Sequence, residues 1–392
     1  MWRHLASNAI TLLIVGVFLL GGVILWGQGQ YRAQGPLEQA MCLRVESGSN
    51  MRRVGESLAE DGAVSSAAIF RIGADYTERT SQLKAGSFLI PAGASMDEIT
   101  EIVTASGRST CGTEVVYRVG VNRLLAQVRE LDPATNQYVE VAEFTPGEDV
   151  PPPEYTQVLE DSDTRYRVAV AEGVTSWQIV TALNTLDVMG EDFSEIPAEG
   201  SLAPDSYEIV PGMEVVDVID RMTEAQSEIL NEAWAARAGD VPLETPEEAL
   251  ILASIIEKET GVAEERRQVA SVFVNRLNQG MKLQTDPTVI YGITRGEGVL
   301  GRGLRQSELR ARTPWNTYVI DALPPTPIAN PGREAIMAAV NPDSTDYLFF
   351  VADGTGGHAF ATNLDDHNRN VAVWRQIEAE RAAAEEAEST DG

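Results

Sequence analysis

Leu252-Ala-Ser-Ile-Ile-Glu257-Lys-Glu259-Thr-Gly261, followed by Arg276-Leu-Asn-Gln-Gly280-Met-Lys-Leu-Gln284-Thr-Asp286-Pro-Thr-Val-Ile-Tyr291-Gly292, sets acids in an apolar helix and places a polar loop after it. Thr245 can cap that helix, Pro246 suits its first position, and Glu248 completes a Thr-x-x-Glu capping box. Gly261 is read as its stop. At about 100° per residue, Ala249 to Ala253, Ile255 and Ile256 leave a polar sector only around Ser254 and Lys258. A helix apolar nearly all round is buried. Glu257 projects between Ala253 and Leu250, and Glu259 between Leu252 and Ile255, so the two acids leave opposite sides. Burial without a partner disfavours a carboxylate and raises its pKa, which suits a general acid that must hold its proton at neutral pH. The competing reading pairs each acid with an arginine, Arg266 or Arg267, as a structural ion pair. Periodicity does not choose between Glu257 and Glu259.

At 392 residues the chain has room for two or three domains. A net charge of -29 argues against a nucleic-acid partner, because phosphate binding needs basic patches. Lys84, Lys258 and Lys282 are the only lysines, so arginine carries almost all the positive charge.

Ile10 to Trp26 is an almost unbroken apolar run, extended by Ala9 and Gly27, with Arg3 and His4 before it. Its length approaches a bilayer's hydrocarbon thickness, and the basic N-terminal flank predicts a cytoplasmic N-terminus. No small-x-small cleavage site follows promptly, so an uncleaved anchor is favoured over a signal peptide. The rest of the chain is then expected outside the inner membrane, in the periplasm. There Cys42 and Cys111 are free to form a disulfide, the alternative being two unpaired thiols.

Residues 43 to 107 read as strand, helix, helix, strand, helix. A similar order follows residue 166: a strand at Arg167-Val-Ala-Val170, a helix around Trp177 to Leu186, and a strand at Tyr207-Glu-Ile-Val210. The turns Glu46-Ser-Gly48 and Glu172-Gly173 match in order, as do Pro91-Ala-Gly93 and Pro211-Gly212. Between the copies, Glu114 to Val119 and Gln137 to Ala142 look like strands, with Asp132-Pro-Ala-Thr-Asn136 as a turn. Pro146 to Pro153 reads as a linker, and the Ala/Glu tract beyond Gln376 as a frayed helix.

From Val45 to Trp374, insertion apart, the chain resembles the YceG-like family of membrane-anchored endolytic murein transglycosylases. The match rests on Leu252 to Thr260, Ala270-Ser-Val-Phe-Val-Asn-Arg-Leu277, Gly280 to Gly292 and Thr313-Pro-Trp-Asn-Thr-Tyr318. It continues through Leu323-Pro-Pro-Thr-Pro-Ile-Ala-Asn-Pro-Gly332, Asp346-Tyr-Leu-Phe-Phe-Val-Ala-Asp353, Gly356-Gly-His358-Ala-Phe360 and Asp366-His-Asn368. The implied fold class is α+β. It comprises a cytoplasmic N-terminus (1–8), a transmembrane anchor (9–27), a LysM-like α/β module (43–108), an inserted β-rich segment and linker (109–165), a YceG-like catalytic domain (166–376) and an acidic tail (377–392). Three departures stand out. Ser201 and Ala203 replace aromatics expected on the glycan path, Asp366 replaces a Glu, and the insertion is not a family feature.

The resemblance, not the helix geometry, selects Glu257 as catalytic acid. It implies lytic cleavage between N-acetylmuramic acid and N-acetylglucosamine within glycan strands, ending nascent strands as 1,6-anhydromuramyl residues. One acid suffices because the muramyl C6 hydroxyl is the nucleophile, unlike the two-carboxylate glycosidases. Gln284, Thr285 and Asp286 are substrate-binding candidates, or else braces for the turn before Pro287. Asn275 sits beside a buried helical stripe, and Asn316, Tyr318, Asn330 and His358 join the list by resemblance. His358 and His367 lack a third patterned ligand, so neither a metal nor a cofactor is expected. The implied partners are peptidoglycan strands, the membrane, peptidoglycan synthases and division proteins. A non-catalytic peptidoglycan-binding scaffold of the cell-wall machinery is the alternative.

Overall fold

The computed structural model describes residues 2–105, 110–159, 161, 163–239 and 241–391, with the side chains of 2–9 and 384–391 left aside. The boundary expected at 108/109 falls outside the described residues. The chain divides into two compact units, one of residues 1–116, 127–144 and 151–166, the other of 117–126, 145–150 and 167–392.

In the first unit, helix α1 (Trp2–Arg32) contains the apolar run; its segment Ile10–Arg32, 23 residues of mean hydropathy 2.5, is long and apolar enough to cross a membrane. Strand β1 (Met41–Val45), helices α2 (Met51–Glu60) and α3 (Ala67–Tyr76), strand β2 (Gly86–Ile90) and helix α4 (Met96–Ala105) follow in the expected order. Asn50 and Ser66 cap α2 and α3 by accepting the backbone N–H of Arg53 and Ile69. β1 and β2 pair antiparallel, Leu43 opposite Phe88, and their inward side chains join Met51, Leu58, Phe70 and Ile99 in one core. Cys42 and Cys111 form a disulfide with a Cα–Cα distance of 5.6 Å.

The segment read as an insertion holds β3 (Thr113–Val119), β4 (Leu124–Asp132), β5 (Gln137–Phe144) and α5 (Pro153–Val158); β4 is an addition to the two expected strands. Its alternation is blurred by Gln127, Arg129 and Glu130, which make the run look like surface loop. Asn136, at φ 54°, closes the expected turn, with its N–H on the Asp132 carbonyl at 2.8 Å. A five-stranded sheet has the order β5-β4-β3-β6-β7, where β6 is Arg165–Val170 and β7 Ser206–Ile209.

In the second unit one helix, α6 (Ser176–Thr185), separates β6 from β7, so this copy lacks a second helix between its strands. The matched turns are real: Gly48, Gly93, Gly173 and Gly212 all adopt φ between 71° and 82°, a region costly for other residues. Helices α7 (Val215–Ala235), α8 (Pro246–Glu259), α9 (Arg266–Asn278), α10 (Asp286–Thr294), α11 (Gln306–Leu309) and α12 (Arg333–Val340) follow, then β8 (Phe349–Ala352), β9 (His358–Ala361) and α13 (Leu364–Asp391). The acidic tail thus continues α13.

α8 is the buried helix that its sequence predicts: Ala249, Leu252, Ala253, Ile255 and Ile256 pack with Val269 and Phe273 of α9 and Ile336 and Ala339 of α12. Thr245 caps it, accepting the Glu248 N–H at 3.2 Å, but the Glu248 carboxylate reaches back to the Glu244 N–H at 2.6 Å, one residue beyond a capping box. Its end also differs from expectation. Thr260 is the C-cap in extended conformation, and no left-handed glycine stops the helix.

Because the Cys42–Cys111 bridge closes a loop with a sequence separation of 69, losing it should destabilise the first unit by about 2–4 kcal/mol. A Cys42→Ala/Cys111→Ala variant should melt earlier than the oxidised protein and be insensitive to reductant, whereas the parent should converge on it when reduced.

Candidate active site

Three successive side chains leave the C-terminal turn of α8 in three directions. Lys258 donates from Nζ to the Gly173 carbonyl at 3.2 Å. Burial lowers its pKa, which the nearby Glu257 and Glu199 partly restore. Glu257 accepts the Gly332 N–H at 2.9 Å, with Glu172 and Arg266 close enough to bias its charge in opposite senses. Its carboxyl is raised above the ordinary 4.5, chiefly by burial. Gly173 is required here by its φ of 79° and not by space, since a Cβ would meet the Glu257 Cγ at an ordinary 3.7 Å.

Glu259 leaves the other side and lines two cavities. The larger, about 420 Å³, is walled by Phe273 and Arg276 of α9, the loop Leu283-Gln284-Thr285-Asp286, and Tyr318, Phe349, Phe350, Leu364 and His367. The smaller, about 260 Å³, runs past Thr260 and Gly261 to His358, Trp374 and Arg381. Thr285 donates its hydroxyl to the Glu259 carboxylate. Burial raises the Glu259 pKa most, and Asp286 raises it further, while Thr285, His358 and Arg276 pull it down.

The loop carrying Gln284, Thr285 and Asp286 is fixed from behind. Buried Thr317 accepts the Thr285 N–H at 3.0 Å, and the Gln284 N–H reaches the Thr317 carbonyl at 3.2 Å. Gln284 is held at φ 52°, an unusual conformation for a non-glycine and of the kind that gathers at functional sites. Tyr318 donates to Asp286 at 2.6 Å, and burial beside Asp286 and Glu259 raises the phenol pKa. Arg276 bonds the Leu348 carbonyl at 2.7 Å and that of Leu283 at 2.6 Å, and lies 5.2 Å from the Phe349 ring centroid.

The sequence-predicted residues therefore separate. Gln284, Thr285, Asp286 and Tyr318 meet around Glu259, and His358 flanks the smaller cavity, its Nδ1 2.8 Å from the Glu265 carboxylate. Asn275, Asn316 and Asn330 instead turn inward as pegs. Asn275 donates to the carbonyls of Thr345 and Tyr347, and Asn316 to those of Glu308, Leu309 and Ala311. Asn330 donates to the Val174 carbonyl and the Ser176 hydroxyl and accepts the Leu202 N–H. Ala203 is also core, 1% exposed, so this position packs inward and lines no groove.

Arg276 and the aromatic wall from Phe349 and Phe350 escaped sequence reading; an arginine one residue after Asn275 in a buried stripe was the available signal. Glu199 was also missed. Its carboxylate accepts the Ser176 N–H at 2.9 Å, and burial raises its pKa. Among the described residues, no group of three or more His, Cys, Asp or Glu could hold a metal ion.

A model of the YceG-like family matches residues 115–373, beginning within the segment that sequence reading set apart as an insertion. Two Streptococcus pneumoniae proteins named endolytic murein transglycosylase are 28% identical over 341 residues, covering 84% of this chain and 57% of theirs. The chain thus spans little more than half their length. A Bacillus subtilis protein of the same name is 26% identical over 356 residues, 90% of this chain and 89% of that one. A crystal structure of a yceG-like protein from Listeria monocytogenes is 23% identical, with a TM-score of 0.45, covering 85% of this chain and 99% of that chain.

Two stability predictions follow from this geometry. Asn330→Ala strands the buried Leu202 N–H and takes a donor from Val174, Ser176 and Glu199, so it should cost about 3 kcal/mol in denaturant unfolding. Glu259 binds its proton more tightly folded than unfolded. Its contribution is therefore complete below the ordinary 4.5 and is lost as pH rises towards the raised folded value. Glu259→Gln should accordingly gain on the parent in denaturant midpoint as pH is raised from 4.5; a constant difference across pH would contradict this.

Proposed function

The chain belongs to the YceG-like family, and from that premise we propose that it is a membrane-anchored endolytic murein transglycosylase in which Glu259 is the general acid. The observation that carries the assignment is the position of Glu259 at the junction of two cavities, among Thr285, Asp286 and Tyr318. Glu257, the acid that family resemblance favours, is turned towards the Gly332 backbone and the Glu172–Arg266 pair. Both carboxyls are held above their ordinary pKa by burial, so it is access to a sugar and not basicity that separates them.

The substrate is the β-1,4 bond between N-acetylmuramic acid and N-acetylglucosamine. Protonated Glu259 donates to the glycosidic oxygen, the bond from muramyl C1 to that oxygen breaks, and positive charge builds on the sugar. The Glu259 carboxylate then takes the proton of the C6 hydroxyl as O6 bonds to C1. The acid returns to its starting state without water, leaving a 1,6-anhydromuramyl end. Thr285 orients the carboxyl, and Arg276 and Asp286 bias its charge in opposite senses. Phe349 and Phe350 supply apolar surface for the sugar face. Asp286, paired with Tyr318, and Gln284 are placed to bond sugar hydroxyls.

Ile10–Arg32 serves as the anchor, N-terminus cytoplasmic, with the catalytic domain in the periplasm. Residues 41–90, in strand–helix–helix–strand order, are read as a LysM-like module, which would hold a glycan strand near the membrane. Peptidoglycan synthases and division proteins are the neighbours such a position implies.

Digestion of purified sacculi tests the assignment. The parent should release anhydromuramyl ends, Glu259→Gln should lose about 10²–10⁴-fold in rate, and Glu257→Gln should keep most of it. The reverse pattern would return the role to Glu257. Reducing ends would indicate a hydrolase, and binding without cleavage a scaffold. In the parent kcat/KM should fall as pH rises through the raised Glu259 pKa, because only the protonated form donates.

A further inference from the structure

We propose that the face shared by the last turns of α1 and one side of α3 is immersed in the bilayer, at the headgroup–acyl boundary of the leaflet nearest the first unit. The proposal rests on the reading of α1 as a membrane anchor. It adds that the anchor is no tether on a flexible leash, and that the first unit itself touches lipid.

Helix α3 carries two apolar faces. Phe70 and Ala74, both 0% exposed, point into the core. Ile69, Ile72, Gly73 and Tyr76 recur at the helical spacing of a second stripe. Gly73 is where α1 docks: a Cβ there would collide with the ring of Tyr31. Tyr31 is itself buried, and its hydroxyl donates to Thr100 of α4 at 2.8 Å. The chain after α1 is also pinned, by the Gly35 N–H on the Gly93 carbonyl at 3.1 Å. The anchor helix and the unit are thereby fastened without a spacer.

The rest of the stripe is left open. Ile72 is 60% and Tyr76 73% exposed, unusual for large apolar side chains with a helix so near. With Val23, Trp26 and Ile69 they line a crevice of about 350 Å³. Trp26 ends the apolar run, and at about 1.5 Å per residue the crevice spans roughly the last 13 Å of α1. Val23 and Trp26 must be at bilayer depth if α1 spans it, and Ile72 and Tyr76, lining the same crevice, share that depth.

Lipid is the occupant this arrangement favours. The surface is continuous with an apolar helix face that acyl chains already surround. Its aromatics are Trp and Tyr, the side chains enriched at membrane interfaces, and the exposed Arg32, which lines the crevice 3.9 Å from Asp97, has a stem long enough to reach phosphates.

The test uses the full chain in nanodiscs of phosphatidylglycerol and phosphatidylethanolamine. A fluorescent amino acid is placed singly at positions 72, 76, 26 or 56, the last lying on α2 as an exposed control. Nitroxide-labelled lipids should quench positions 26, 72 and 76 and leave position 56 bright. Quenching at 26 with 72 and 76 as bright as 56 would overturn the proposal while sparing the anchor. No quenching at 26 would overturn both. A photo-crosslinker at 72 or 76 that captures a second copy of the chain in place of lipid would also overturn it.

Discussion

Two carboxylates separated by one residue cannot share a side of a helix, since two steps of about 100° set them nearly opposite. In a helix buried on every face, that geometry forces each acid to find its own answer to desolvation. Glu257 finds a backbone N–H at Gly332, and Glu259 finds the Thr285 hydroxyl. Lys258 takes the remaining sector and donates a hydrogen bond to the Gly173 carbonyl. The Glu-Lys-Glu triplet thus distributes three charges to three loops, and each loop is positioned by what it must satisfy. Were α8 only half-buried, water would solvate all three, and burial would no longer raise either carboxyl above its ordinary pKa.

The loops facing these charges are built from inward-turned amides. Asn316 ties the carbonyls of Glu308, Leu309 and Ala311, and Asn330 joins Val174, Ser176 and Leu202. A buried asparagine that meets several loop carbonyls fixes irregular backbone as a helix ladder fixes regular backbone. This is why the polar motifs of the second half of the chain divide into pegs and cavity lining. Asn275 and Asn330 look like sugar ligands in a one-dimensional motif, because their partners are backbone atoms that no sequence pattern displays.

What could be read in advance follows the same division. The cap at Thr245, the apolar periodicity of α8, the βααβ order of residues 41–90 and the glycine turns all arise from local chemistry, and local chemistry is visible in sequence. β4 was hidden because its outward residues are charged and its inward ones few. Gly261 was a misleading stop, since Thr260 already turns the chain by going extended. The identity of the cavity acid was not legible either: it depends on where residues 284–286, 318 and 349–350 arrive, all from distant parts of the chain.

The strained backbone at Gln284 links these points. A non-glycine residue at φ 52° persists only where its neighbours over-determine it, and here Thr317 receives the N–H of Thr285 while its carbonyl holds that of Gln284. Thr317 in turn sits between Asn316, clamped to the Glu308–Ala311 segment, and Tyr318, which reaches Asp286. The loop that faces Glu259 is therefore set by a relay of buried hydroxyls and amides. A site braced in this way keeps its donors aimed before any ligand binds, so little ordering would remain to be done on binding.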